Sequence, residues 1–148
     1  MKKQIIAGIL GLTMVAGMST PAFAAEPIFV HEEENNNTFS KANEFKLTSI
    51  VIIDGKAYEG DKDYYKFTPD ESGSYKFDFG RVNNELPAGE AEVTLYDVDR
   101  NEIRSKRVNS RNLLEFTEDL KKGKEYYLKV KSTYTRSYEY AIWIIKQN

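Results

Sequence analysis

Two short stretches carry oxygen-rich side chains at spacings that could do chemistry. Glu32 to Asn37 reads EEENNN, within HEEENNNTFSKAN, and Gly60 to Phe67 reads GDKDYYKF. Three carboxylates followed by three carboxamides show no apolar period, so the first stretch is neither an amphipathic helix nor a half-buried strand. It reads either as a solvated polar linker or as a cluster of hard oxygen ligands for a cation. In the second stretch Asp61 and Asp63 follow a glycine at i, i+2 and point to one side of an extended segment. Alone, that is an acidic turn as readily as a metal site. Together the two stretches hold enough oxygens for the shell of about six to eight that a hard cation takes, which favours Ca2+ over Mg2+ or Zn2+.

Little else offers chemistry. His31 is the single histidine and cysteine is absent, so a His-rich zinc site and a thiol nucleophile are excluded, and any histidine-supported triad would have to use His31. An exposed histidine in a polar entry segment is the simpler reading of it. There is no glycine-rich phosphate loop and no GxSxG elbow. Asp97, Asp99 and Asn101 match the start of an EF-hand loop, but Glu102 stands where its glycine belongs and Val108 where its last glutamate belongs. A hairpin turn is expected there. Surface carboxylates give a hydrolase no specific support.

The elements that must position these residues are short strands. DYYKFTP sets Tyr65 and Phe67 against Tyr64 and Lys66; GSYKFDFG sets Tyr75, Phe77 and Phe79 against Lys76 and Asp78. AEVTLYDVD, EYYLKVKS and SYEYAIWIIK alternate likewise, with Val93 and Leu95, then Tyr126, Leu128 and Val130, then Tyr138, Tyr140, Ile142 and Ile144 on one face. With LTSIVII, EIRSKRV and NLLEFTE this makes about eight strands between turns such as PDESG, VDRN and KKGK. Apart from a turn near FSKANEF no helical period is seen. The expected fold is all-β, an antiparallel jelly-roll-like β-sandwich.

The N-terminus reads as an export signal. Lys2 and Lys3 precede the apolar IIAGILGLTMVAG, and Ala22-Phe23-Ala24 supplies the small residues of a cleavage site. The expected organisation is a signal peptide over 1–24, a polar entry segment with the candidate calcium ligands over 25–45, and the β-sandwich over 46–148. The apolar run is too short for a stable membrane span, so a secreted, extracellular protein without a span is expected. Losing a leader with two lysines and no acid takes the formal charge from −2 to −4. With basic residues scattered among acidic ones, this argues against a nucleic-acid partner. A chain of this size buries roughly two thirds of its unfolded surface, enough for one unassisted core. A monomer is expected.

Taken in order, ENNNTFSKAN, GDKDYYKFTPDESGSYKFDF, VTLYDVDRN, LKKGKEYYLKV and YEYAIWI resemble the bacterial pre-peptidase C-terminal (PPC) domain. Its best-known members are the collagen-binding domains of bacterial collagenases. The resemblance spans about residues 31–146. It implies a jelly-roll-like sandwich, no catalytic activity, and calcium held between the N-terminal segment and the Gly-Asp-x-Asp turn. The matching ligands are Glu32, Glu34, Asn36 and Asn37, with Asp63 and, beside it, Asp61. Asn37 stands where the collagen binders often carry aspartate, which removes one negative charge. On their ligand strand Leu128 and Val130 match, but Lys131, Ser132 and Thr133 stand where tyrosine is usual, and Tyr134 is out of register.

The expectation is a secreted, calcium-stabilised, non-catalytic module that binds an extracellular protein or polysaccharide, either collagen-like or of the cell wall. Tyr127, Lys129, Lys131, Tyr134 and Trp143 are its candidate ligand residues, with Tyr127 and Trp143 on outward faces and adjacent if their strands pair. The alternative for these two aromatics is packing beneath a loop or the second sheet. A rival function is an accessory stability or inhibitory factor for a separately encoded secreted protease.

Overall fold

A computed structural model describes residues 25–81, 87–109, 111 and 114–148. The expected signal peptide lies outside them. Ten strands follow in chain order: β1 (Ile28–His31), β2 (Asn43–Leu47), β3 (Ile50–Ala57), β4 (Lys62–Pro69), β5 (Gly73–Arg81), β6 (Ala91–Asp97), β7 (Glu102–Arg107), β8 (Leu114–Leu120), β9 (Tyr126–Ser132) and β10 (Tyr138–Lys146). They form two five-stranded sheets, β1-β3-β10-β5-β8 and β2-β4-β9-β6-β7, packed as a β-sandwich. The eight strands read from the sequence are β3 to β10. The two further strands, β1 and β2, come from the 25–45 entry region, one joining each sheet, and a 3-10 turn at Phe39–Lys41 lies between them. No helix among the described residues is long and apolar enough to cross a membrane.

Period-two alternation builds the core. Tyr65, Phe67, Tyr75, Phe77, Leu95, Leu128, Tyr140, Ile142 and Ile144 all face inward and are buried, as strict alternation requires. Phe67 is the hub: its ring lies 5.4 Å from Phe45, 5.7 Å from Tyr126 and, across the sandwich, 6.3 Å from Phe77, which stacks on Phe116 at 4.8 Å. Each such side chain contributes about 1.5–3 kcal/mol by leaving water.

Most neighbours are antiparallel, but β1 pairs with β3, and β2 with β4, in parallel. The reason is the route of the chain. From β1 to β4 it alternates between sheets, so the strand of one sheet serves as the crossover that parallel pairing in the other demands. Two consequences position the site. β1 delivers Glu32 beside the end of β3, where Glu32 N donates to the Asp54 carbonyl at 2.9 Å. The following loop is then clamped to β4, where Tyr64 N donates to the Asn36 carbonyl at 2.9 Å.

Candidate functional site

Glu32, Glu34 and Asp63 place one carboxylate oxygen each within 4.8 Å of one another. Three elements bring them together: the end of β1, the loop after it, and the start of β4. Asp63 and Asn36 are both fully buried. Asn43 holds the loop in place by imitating a strand partner: Glu33 N donates to its Oδ1 and its Nδ2 donates to the Glu33 carbonyl, both at 3.0 Å. The same Oδ1 accepts from Asn36 Nδ2 at 3.1 Å, which turns the Asn36 carbonyl oxygen the other way.

Several oxygens here are buried without a partner: Glu32 Oε1, Asn36 Oδ1 and Asp63 Oδ1. An orphaned buried acceptor costs about 1–3 kcal/mol, more if charged, and three around one acidic cluster call for a shared donor or a cation. The donor set is all oxygen, as a hard divalent ion prefers. Burial, chiefly, pushes the Asp63 carboxyl up to about 9, with the adjacent Glu32 raising it further and the Tyr140 hydroxyl pulling it down. Glu34 is raised as well, first by desolvation and then by the negative charges of Glu32 and Asp61. The arrangement stores carboxylates that resist ionisation until a positive charge arrives.

Behind Asp63 a hydroxyl chain crosses the core. Tyr140, on β10, donates to Asp63 Oδ2 at 2.7 Å, and its hydroxyl lies 2.6 Å from that of Tyr65, on β4. Burial drives both phenols well above their ordinary values, so they remain neutral donors. Gly55 makes the approach feasible: a Cβ there would stand 2.5 Å from the Tyr140 ring and hydroxyl and 2.9 Å from Glu32 Oε2. That Glu32 oxygen accepts from Lys56 N at 2.6 Å. Replacing Tyr140 with Phe deletes the donor that favours ionised Asp63, so it is expected to destabilise the fold by about 1–3 kcal/mol and to weaken the binding of any cation that the cluster takes up. Denaturant melts with and without calcium would check both effects, and unchanged affinity would mean that Asp63 is positioned without Tyr140.

The other two expected ligands, Asp61 and Asn37, stand on the adjacent turn, where the Asp61 charge still reaches Glu34 and Asp63. Asp61 braces the β3–β4 turn, accepting from Tyr58 N at 3.3 Å and from Lys62 N at 3.0 Å. Asn37 joins that brace: with its amide nitrogen turned inward it donates to the Lys62 carbonyl at 3.1 Å and to Asp61 Oδ1 at 3.3 Å. Asp97 closes the expected hairpin, accepting from Asn101 N at 2.9 Å, with Arg100 at φ 65°. Sequence reading missed Asn43, Gly55 and the role of Tyr140. The legible signal was an inward tyrosine, whose hydroxyl must find a partner.

The five candidate ligand residues do not form one surface. β9 and β10 lie in different sheets, so Tyr127 and Trp143 sit on opposite outer faces of the sandwich and cannot be neighbours. Trp143 is 37% exposed, whereas Tyr127 is only 9% exposed. Phe39 of the 3-10 turn covers Tyr127, ring centroids 5.0 Å apart, and also packs on Tyr64 at 4.6 Å and Tyr96 at 5.2 Å. Lys129 carries its ammonium over the Tyr96 ring at 5.4 Å. Lys131 is half-buried in a row with Lys62 and Glu92. Tyr134 packs against the core, 6.2 Å from the Tyr138 ring.

No protein-family model and no curated protein sequence matches the chain. Solved structures do. The pre-peptidase C-terminal domain of a collagenase from Bacillus anthracis superposes with a TM-score of 0.54 at 21% identity, covering 70% of this chain and 93% of that one. The Yersinia pseudotuberculosis-derived mitogen gives 0.51 at 12% identity, covering 69% and 89%. A periplasmic inhibitor of g-type lysozyme from Aeromonas hydrophila gives 0.49 at 9% identity, covering 82% and 97%. The fold is therefore similar to that of the collagenase PPC domain.

Proposed function

We propose that this protein is a secreted, non-catalytic binding module of the PPC type, in which calcium ties the N-terminal segment to the sandwich and the outer surface engages an extracellular protein or polymer. The observation that carries the reading is the convergence of the Glu32, Glu34 and Asp63 carboxyls with the buried Asn36 Oδ1, an all-oxygen set whose one internal donor is the proton that Asp63 shares with Glu32. Glu32, Glu34 and Asp63, with the side-chain Oδ1 of Asn36, would hold the ion, and its charge would offset three clustered acids. Asp61 and Asn37 support the turn from which Asp63 projects. The resemblance to collagenase PPC domains supports the same assignment of ends and turn.

The test is a melting curve in calcium against one in chelator. For a Kd on the order of 10 μM, ~1 mM free calcium stabilises the native state by about 2.7 kcal/mol, a rise on the order of 10 °C for a domain of this size. Asp63→Ala is expected to abolish that increment. Coincident curves for the unmodified protein would remove the calcium reading and return EEENNN to a polar linker.

A further inference from the structure

The outer face of the β1-β3-β10-β5-β8 sheet carries a second constructed feature, whose far end adjoins the carboxylate cluster through Glu32 and Tyr140. A Cβ at Gly80 would lie 2.6 Å from Trp143 Cζ3 and 3.3 Å from Cη2. The six-membered ring of the indole thus fills the space into which a side chain on β5 would project. In register, Gly80 pairs with Ala141, and Ala141 with Asp54. The ring therefore covers the Gly80 end of the row Asp54–Ala141–Gly80, whose centre is a small residue. Across Ala141, Asp54 meets His31 Nδ1 at 2.6 Å. There a cavity of about 320 Å3 opens, whose polar lining is His31, Glu32, Asp54, Lys56, Glu139 and Tyr140. Platform and cavity are about two strand spacings apart, ~10 Å.

Acids outnumber lysines on this face, and each lysine is engaged by a carboxylate or lies among them. Beside the indole, Lys76 Nζ lies 2.8 Å from Glu115 and 3.7 Å from Asp78, the residue paired with Trp143. In the cavity His31 and Lys56 face Asp54, Glu139 and Glu32, with the Tyr140 side chain beside them. A polyanion would be repelled by this excess of acids, whereas carboxylates beside lysines offer acceptors and donors to the hydroxyls of an uncharged ligand. A pyranose ring has a C–H face that suits a flat aromatic and a hydroxyl rim that both donates and accepts, as these paired groups can. We propose that this face binds a neutral pyranose polymer, one sugar stacked on Trp143 and a neighbouring sugar hydrogen-bonded in the His31–Asp54–Lys56–Glu139 cavity. The proposal rests on the binding-module reading above and names its ligand class.

The single tryptophan makes the test direct. Mature protein in calcium is titrated with cellohexaose and with chitohexaose, following Trp143 fluorescence, acrylamide quenching and binding heat. At least one oligosaccharide is expected to shift the emission saturably and to protect it from acrylamide. Trp143→Ala, and independently Gly80→Val, are expected to weaken binding about tenfold or more, and Glu139→Gln several-fold. If either platform variant fails to fold, protection of the wild-type indole and the Glu139→Gln titration decide. No response to either sugar, or undiminished affinity in a folded Trp143→Ala variant, overturns the proposal. So does sedimentation showing a Trp143-dependent dimer, which would make the face a contact between copies. Capture on insoluble collagen without any sugar response would overturn the platform while leaving the binding-module reading standing.

Discussion

In chelator the protein is expected to be more stable at pH 5 than at pH 8, and saturating calcium is expected to cancel or reverse that order. The cause is Asp63, whose folded value of about 9 lies far above the ~3.9 of an unfolded aspartate. Between those values the native state holds a proton that the unfolded state has released. Stability therefore falls as pH rises, by up to ~1.4 kcal/mol per pH unit. The contribution is fully present below the unfolded value and lost on passing the folded one, so the window runs from about pH 4 to 9. From pH 5 to 8 the loss is up to ~4 kcal/mol, reduced by whatever relaxation the site allows. In the proposed site calcium would need the carboxylate, so its binding would expel the proton and tighten with pH over the same window. Denaturant midpoints at the two pH values, with and without calcium, read all four corners. A chelated protein whose stability rises from pH 5 to 8 would show that Asp63 is ionised in the apo state.

Gly55→Ala is expected to be among the most damaging small substitutions in the sandwich. Its methyl would stand 2.5 Å from the Tyr140 ring and 2.9 Å from Glu32 Oε2, both held by hydrogen bonds of their own. Relief means moving Tyr140 off Asp63 or Glu32 off Lys56. Overpacking together with one lost buried hydrogen bond costs on the order of 3–5 kcal/mol, and the calcium increment should shrink with it. Gly60→Ala is the control: nothing lies within 4 Å of the position its methyl would take, and only its φ of +75° opposes a side chain. There a loss of about 1 kcal/mol is expected, with calcium stabilisation kept. Equal melting of Gly55→Ala and the parent would mean that β3 and Tyr140 are not in this close approach.

Much of the fold was legible because alternation is a local property. Tyr75, Phe77 and Phe79 face the core in the structure for the reason visible in GSYKFDFG: successive side chains of a strand point to opposite faces. Strand direction and sheet membership are not local. IFVH and NEFKL are too short and too polar in their surroundings to announce β1 and β2, and period two carries no information on parallel pairing. The same limit dissolved the expected aromatic patch. YYLKV and YAIWI each show an outward aromatic, but only the assignment of β9 and β10 to different sheets separates Tyr127 from Trp143. The cover that Phe39 places over Tyr127 is a contact between residues far apart in sequence.

The candidate metal site divides along the same line. By itself the sequence determined the inventory: three acids and three amides at 32–37, two aspartates at 61 and 63, one histidine, no cysteine. Residue type is written in the chain, and with it the hardness of any cation the oxygens could hold. Tertiary structure alone decided which oxygens converge. It grouped Glu32, Glu34 and Asp63 and left Asp61 and Asn37 bracing the turn. It also set Asn43, Tyr140 and Gly55 behind them. Convergence depends on the strand crossings that bring residues 32, 63 and 140 together, and burial depends on the sheet closing over Asp63. That closure, with the neighbouring acids, turns an ordinary acidic turn into a carboxyl pushed well above the usual carboxylate range.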